Sequence, residues 1–485
     1  MSIESLVDRC LLVGFAEPEP PDWLRAAAPG LGGVVLYGQN LRIDADAARL
    51  ASVLHADSDV VLALDEEGGD VTRLHYRSGS PTPGNYVLGA VDDVGLTAAV
   101  ASRIGESLRH AGVGWNLAPD VDVNSAPENP VIGVRAFGAE SGLVSRHATA
   151  WVEALQATGV AACAKHFPGH GDTRADSHHA LPVVDASENE WRAVHLPPFV
   201  AAIEAGVKSI MTAHVVVPAL DRAAATMSRR LLTGVLRDEL GYEGVIVTDA
   251  LDMGAIRDGV GEPAGAVTAL RAGADALCLG AVGGEGLYRR VRDAILAAVA
   301  AGELSPARLE QAAGRVEALS AWIRSAPVLP DLPALDDPGL AAARRAATGN
   351  VPALTAGPVV VELRGTPNLA VGEAYWDLVE PLRALGRGPV SVWRLADDEP
   401  ALLLAVLAAA SDHPLVVVGR DVARQPWQRA AWRVLHRHRP DAVLVELGLP
   451  RPGALPEGRY VLVGGAGRPN LRVAAELLVG GSLSI

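Results

Sequence analysis

The sequence predicts an α/β protein: a (β/α)8 TIM barrel followed by a smaller α/β sandwich domain. Three observations predict it. Eight short apolar runs alternate with helix-forming stretches over about 280 residues. Acids, bases or hydrogen-bond donors close five of those runs. A proline-rich acidic stretch then gives way to a second set of apolar runs.

The eight runs are LLVGF (11–15), LGGVVLY (31–37), VVLALD (60–65), VGWNLAPD (113–120), GVAACAKHF (159–167), VKSIMTAH (207–214), GVIVTDA (244–250) and DALCLG (275–280). Each is short and rich in Val, Ile, Leu and Ala, the composition of strands buried on both faces of a parallel sheet. Between them, LTAAVASRIGESLRHA (96–111) and LVSRHATAWVEALQATG (143–159) are good helix formers. A doubly wound sheet is the competing topology, but no GxGxxG opens the first crossover. After PARLEQAAGRVEALSAWIRSA comes PVLPDLPALDDP, residues 327–338, which reads as a linker. The expected domains are therefore a catalytic barrel at 1–326 and a second α/β unit at 339–485. In the latter GPVVVEL, VSVWRLA, PLVVVGR, DAVLVELGLP and YVLVGGAG alternate with helical pieces.

Composition narrows the class of protein. Hydrophobic residues make up 49% of the chain and charged residues 20%, which is ordinary for a soluble globular protein. A formal charge of −15 argues against nucleic acid or an anionic membrane as partner. The opening MSIESLVDRCLLVGFAEPEP lacks a basic start followed by a long apolar run, so a cytoplasmic location is expected. Cys10, Cys163 and Cys278 read as buried thiols in a reducing compartment.

Active sites in such barrels lie at the C-terminal ends of the strands. There the sequence puts Asp65, Asp120, Lys165 with His166, His214 and Asp249. In DEEGGDVTRL (65–74), Gly68–Gly69 permit a tight turn that returns Arg73 toward Asp65. A carboxylate with an arginine suits hydroxyl-rich ligands, although a turn held by a structural salt bridge fits the same residues. The stretch KHFPGHGDTRADSHH (165–179) packs four histidines and two aspartates into fifteen positions. A metal site drawn from His166, His170, Asp172, Asp176, His178 and His179 is one reading, but no HxH or HExxH spacing is present. A phosphate cradle at GHGDT is a second, weakened by its acids. An acid/base loop in which Asp176 orients His178 is the third. Asp249, directly after VIVT, is expected to face the barrel mouth, and Asp252 to be solvated or a helix cap. A carboxylate facing a His/Asp pair is the layout of a retaining glycosidase, with His replacing the usual second carboxylate.

DEEGGDVTR, NPVIGVRAFG (129–138), KHFPGHGDTRADSHHALP, IMTAHVVVPALD and GYEGVIVTDALDM, in that order, resemble glycoside hydrolase family 3 and, within it, the β-N-acetylglucosaminidase branch. The resemblance covers residues 1 to about 325. It implies that Asp249 is the nucleophile and that Asp176 and His178 form the acid/base dyad. It also implies that Asp65, Arg73, Arg135, Lys165 and His166 hold the terminal sugar, with Met211 and His214 lining the same pocket. The implied enzyme is exo-acting and retaining, needs no cofactor or metal, and takes a small carbohydrate or muropeptide substrate. One departure is Arg135-Ala136-Phe137-Gly138, where the family reads RSFG: the arginine is kept and a serine-dependent loop bond is lost. Other branches take their acid from a Glu in the second domain. A dyad on the barrel loop makes that donor unnecessary, so the second domain is expected to be structural or a pocket wall. The competing activities are a glycoside phosphorylase that replaces water with phosphate, a metal-dependent hydrolase, and a non-catalytic sugar-binding protein.

Overall fold

The computed structural model describes residues 1–173, 181–326, 337–349, 351–365, 371–372, 375–396, 400–449 and 457–480. Its first eight strands fall on the eight apolar runs: β1 (Leu11–Gly14), β2 (Gly33–Val35), β3 (Leu62–Leu64), β4 (Trp115–Asn116), β5 (Cys163–Phe167), β6 (Ser209–Thr212), β7 (Val245–Thr248) and β8 (Leu277–Cys278). All their pairings are parallel, in the orders β4-β3-β2-β1-β8 and β5-β6-β7. Isolated parallel bridges, Trp115↔Ala161, Asp120↔Lys165 and Val247↔Ala276, lie between the two groups.

Every residue of these strands is buried, which explains why the runs are continuously apolar rather than alternating. The alternation appears instead in where the side chains go. Leu11, Val13, Val34, Leu62, Leu64, Ile210 and Ile246 join the core under the helices. Their neighbours Leu12, Val35, Ala63, Met211, Val245, Val247 and Cys278 meet on the other face. Two cores on opposite faces of a curled parallel sheet make the fold TIM-barrel-like.

Helices Val94–His110 and Ser141–Ala157 begin and end within two residues of the expected spans. Asp93 starts the first by accepting the Gly95 and Leu96 N–H groups. The three cysteines are buried and unlinked, and burial pushes each thiol up to about 12. Among the described residues no helix is long and apolar enough to cross a membrane.

Residues 327–336 of the expected linker lie outside the described residues. Its last two belong to a helix, because Asp337 caps Pro338–Ala346 by accepting the Leu340 N–H. Beyond it is a six-stranded sheet of β9 (Thr348–Gly349), β10 (Val359–Leu363), β11 (Ser391–Leu395), β12 (Leu415–Gly419), β13 (Val443–Glu446) and β14 (Arg459–Leu462). Its order is β11-β10-β12-β13-β14-β9, parallel except for the short edge strand β9. The five expected apolar runs are β10 to β14. The two residues of β9 have no apolar pattern to betray them.

The C-terminal sheet rests on loops that follow the barrel strands. Buried Asp70 accepts the Ala466 N–H at 2.7 Å and pairs with Arg420. Arg424 Nη1 donates to the Asn129 carbonyl at 2.7 Å, and the Arg468 N–H to the Ser80 carbonyl at 2.8 Å.

Candidate active site

The loop after β3 is shaped by its second acid. Glu66 is buried and its Oε2 accepts the Arg73 and Leu74 N–H groups, each at 2.9 Å, which folds the loop back on itself. The reversal passes through Gly68 and Gly69 at φ 84° and 59°, and a Cβ on Gly69 would lie 2.5 Å from the Gly84 backbone. Arg73 is thereby returned to Asp65, with Nη2 3.7 Å from Oδ2.

Asp65 and Glu67 share a face, two residues apart, and Lys165 from β5 bridges them at 2.7 Å each. Glu67 also accepts a bidentate pair from Arg135, Nε at 2.9 Å and Nη2 at 2.7 Å. Burial alone would raise the Glu67 pKa, but Arg135 and Lys165 hold it well below the usual carboxylate range. Burial likewise opposes the charge on Lys165, and Asp65 and Glu67 reverse that effect and lift it above its ordinary value. Next to this set, His166 faces Asp122 through Nδ1 at 2.7 Å and Arg135 through Nε2 at 3.3 Å. Arg135 can only donate, so Nε2 accepts and the ring proton sits on Nδ1, donated to Asp122. Burial and the Arg135 charge pull His166 down to about 4, so the ring is neutral. Burial pushes Asp120 and Asp122 up, reinforced at Asp120 by the Asp122 charge.

Asp65, Arg73, Arg135, Lys165, His166, Met211 and Asp249 line one cavity of about 400 Å³. Asp249 follows β7 directly, is half-buried, and accepts the Ala250 N–H through Oδ1 at 2.8 Å. The arrangement presents alternating donors and acceptors to a polyol, with a further carboxylate, Asp249, at the end of β7.

His214 and Asp252 do not stand where the sequence suggested. His214 does not line this cavity among the described residues; it is buried, with Nδ1 on Thr226 Oγ1 at 2.8 Å and Nε2 on the Ala250 carbonyl at 3.0 Å. It braces the turn that carries Asp249 rather than the pocket wall. Asp252 is neither solvated nor a cap: the helix Gly254–Arg257 has no side-chain cap, and Asp252 lines the cavity. Its Oδ2 accepts the Val282 N–H at 3.0 Å; burial, reinforced by the Asp249 charge, raises it to about 6. The loop around Ala136 holds without a serine, since Asn85 Nδ2 donates to the Arg135 carbonyl at 2.8 Å. Asp176 and His178 lie outside the described residues, as do all of 174–180.

Glu67, Asp122 and Asp252 were missed in the sequence. For Glu67 a signal existed: two residues past Asp65 at a strand end, it shares that residue's face.

Among the described residues, ligand atoms of Asp120, Asp122 and His166 lie within 4.8 Å of one another. The donor set does not fit a resident dication. Both His166 nitrogens are engaged, and the Arg135 guanidinium lies 3.6 Å from Asp120 Oδ2. The group reads as a charge-balanced network. His170, another proposed ligand, bonds Thr173 Oγ1 at 2.7 Å through Nδ1, and burial lowers it to about 4.

The chain is 40% identical over 252 residues to beta-hexosaminidase A of Pseudoalteromonas piscicida, covering 47% of this chain and 42% of that protein. It thus spans less than half the length of that relative. It is 35% identical over 277 residues to a beta-hexosaminidase of Xylella fastidiosa, covering 55% of this chain and 81% of that one. The structure of a glycoside hydrolase family 3 beta-N-acetylglucosaminidase from Paenibacillus sp. str. FPU-7 superposes with a TM-score of 0.88 at 32% identity, over 100% of this chain and 97% of that one. The profile described as Glycosyl hydrolase family 3 N terminal domain matches residues 20–319, and the chain belongs to that family.

Proposed function

We propose that the chain is a retaining exo-β-N-acetylglucosaminidase. Its architecture in this reading is a closed (β/α)8 barrel at 1–326, a linker, and a second α/β domain that begins with the helix capped by Asp337. The observation that carries the proposal is the sharing of one cavity by Asp249 and the Asp65–Lys165–Glu67–Arg135 network. The names of the relatives support the choice of sugar.

In the proposed mechanism Asp249 attacks the anomeric carbon while His178, oriented by Asp176, gives its proton to the departing glycosidic oxygen. The carbon–oxygen bond breaks and an ester between the sugar and Asp249 forms. His178, now neutral, takes a proton from water, whose oxygen attacks the anomeric carbon and frees Asp249. Asp65, Arg73, Arg135, Lys165 and His166 hold the sugar hydroxyls, with Met211 as an apolar wall. His214 acts through the Ala250 turn. No cofactor takes part, and the proposed substrate is a small peptidoglycan fragment ending in N-acetylglucosamine, met in the cytoplasm.

A panel of aryl β-glycosides, assayed with and without phosphate and with a chelator, tests this. N-acetylglucosaminide should be cleaved to free sugar at a rate indifferent to both additions. A sugar 1-phosphate product would make the protein a phosphorylase, and loss on chelation restored by zinc would make it a metallohydrolase.

A further inference from the structure

The catalytic cavity has two walls of different character. The loops after β3, β4 and β5 carry the Asp65–Lys165–Glu67–Arg135 network, in which each carboxylate meets a cation. The other wall comes from the loops after β7, β8 and β2, with β8 and β2 on either side of β1 and the bridge Val247↔Ala276 linking β7 to β8. Asp252 lines this second wall, three residues after Asp249, and no ion pair reaches it among the described residues.

The chain makes room for this carboxylate. Gly280 lies against it, and a Cβ there would overlap both of its oxygens. The Val282 N–H, donated to Oδ2 at 3.0 Å, fixes the side chain at the wall, while no other residue bonds Oδ1 among the described residues. Asp252 is half-buried and keeps surface toward the cavity. Arg257 stands at the same wall but is committed elsewhere. Its Nε and Nη2 donate to Asp258 at 2.8 and 2.9 Å, and its Nη1 lies 3.4 Å from the Asp252 carbonyl. It reaches the Asp252 carboxylate only through space. A half-buried carboxylate without a cation of its own is costly to ionise, and its counter-charge is left to the ligand.

Resting on the glycosidase reading above, we propose that Asp252 extends the substrates to terminal β-glucosaminides, sugars that carry a free ammonium in place of the acetamido group. In a pyranose the outer hydroxyls lie at the end of the ring away from the anomeric carbon. With those hydroxyls on the ion-paired wall and the anomeric carbon at Asp249, the substituent on the next carbon comes to the wall of Asp252. An ammonium there supplies the missing counter-charge and donates to Oδ1. The chemistry permits the exchange. An enzyme that takes its nucleophile from the acetamido group cannot act on a free amine, whereas here Asp249 supplies the nucleophile. The ammonium takes no part in the bond changes: Asp249 forms the ester, the departing oxygen takes the proton of His178, and water replaces Asp249. A positive substituent beside the anomeric carbon opposes the charge that develops there, and the Asp252 carboxylate offsets it.

Steady-state kinetics of the full chain near neutral pH test the proposal, with the nitrophenyl β-glucosaminide, N-acetyl-β-glucosaminide and β-glucoside as substrates. The wild type should cleave the glucosaminide with a kcat/KM above that for the glucoside. Asp252→Asn keeps an oxygen to accept the Val282 N–H, so the loop persists while the charge is lost. In that variant the ratio of kcat/KM for the glucosaminide to that for the N-acetylglucosaminide should fall at least about tenfold, the value of one hydrogen bond to a charged group. A carboxylate that only shapes the loop would lower all three substrates alike. Equal falls in the variant, or a wild type that cleaves the N-acetyl substrate and not the glucosaminide, overturn the proposal and leave the glycosidase reading standing. Cleavage of none of the three by the wild type overturns both.

Discussion

Glu67 accepts hydrogen bonds from both Arg135 and Lys165, at 2.7 Å to the nearest nitrogen of each, with all three side chains less than 5% exposed. One carboxylate therefore neutralises two buried cations that come from different strand ends. Removing it leaves Lys165 to Asp65 alone and Arg135 with only the more distant Asp120, at 3.6 Å. Glu67→Ala should cost about 3–5 kcal/mol, the range for breaking a buried ion pair from one side. Denaturant unfolding measures it, and a loss below about 1 kcal/mol would mean that solvent reaches the pair.

Asp252 ionises near pH 6 within the cavity that holds Asp249. Its raised pKa means that it is neutral below that pH and negative above. A negative charge there favours the cationic character that a glycosyl transfer state develops. The kcat/KM profile should rise through pH 6 in the wild type, and in Asp252→Asn this rise should be absent. An unchanged profile would remove Asp252 from the chemistry.

His166 and His170, both held near 4, predict a pH dependence of stability. Their folded pKa values lie below the unfolded value of about 6.5, so the unfolded chain takes up protons first. Their contribution is complete above pH 6.5 and is lost as pH falls through 4. In that window His170→Gln should flatten the slope of unfolding free energy by up to about 1.4 kcal/mol per pH unit. Parallel slopes for variant and wild type would show that His170 is not buried neutral.

Asp70 ties the loop after β3 to the C-terminal sheet through Ala466 and Arg420. Asp70→Ala leaves the buried Ala466 N–H unmet, a loss of about 1–3 kcal/mol, while Arg420, 28% exposed, turns to solvent. The variant should melt earlier and be cut faster by protease between residues 326 and 337. Cleavage at the wild-type rate would mean that the contact does not hold the two parts together.

The eight barrel strands were legible because parallel strands buried on both faces leave short, continuously apolar runs, here alternating with longer helix-forming stretches. Asp65, Lys165, His166 and Asp249 were legible because each stands where such a run stops. The cap at Asp337 was not, since Asp-Pro also suits a linker. Asp122 gave no local sign: it matters through His166, 44 residues further on. Asp252 looked like a loop acid because its burial depends on Gly280 and Val282 from the next strand end. Nor does any sequence neighbour announce that Asp70 meets Arg420, 350 residues away.

In the proposed reaction Asp249 forms a covalent bond to the sugar and His178 controls its making and breaking. Mass spectrometry of His178→Ala after mixing with a nitrophenyl N-acetyl-β-glucosaminide tests it most directly. A nitrophenolate leaves without a proton, so the first step survives, while hydrolysis loses a base typically worth about 10²–10⁴-fold. An adduct of one glycosyl unit is expected on the peptide containing Asp249, discharged by azide as the β-glycosyl azide. An adduct on another residue, or no adduct while azide leaves the rate unchanged, would contradict it.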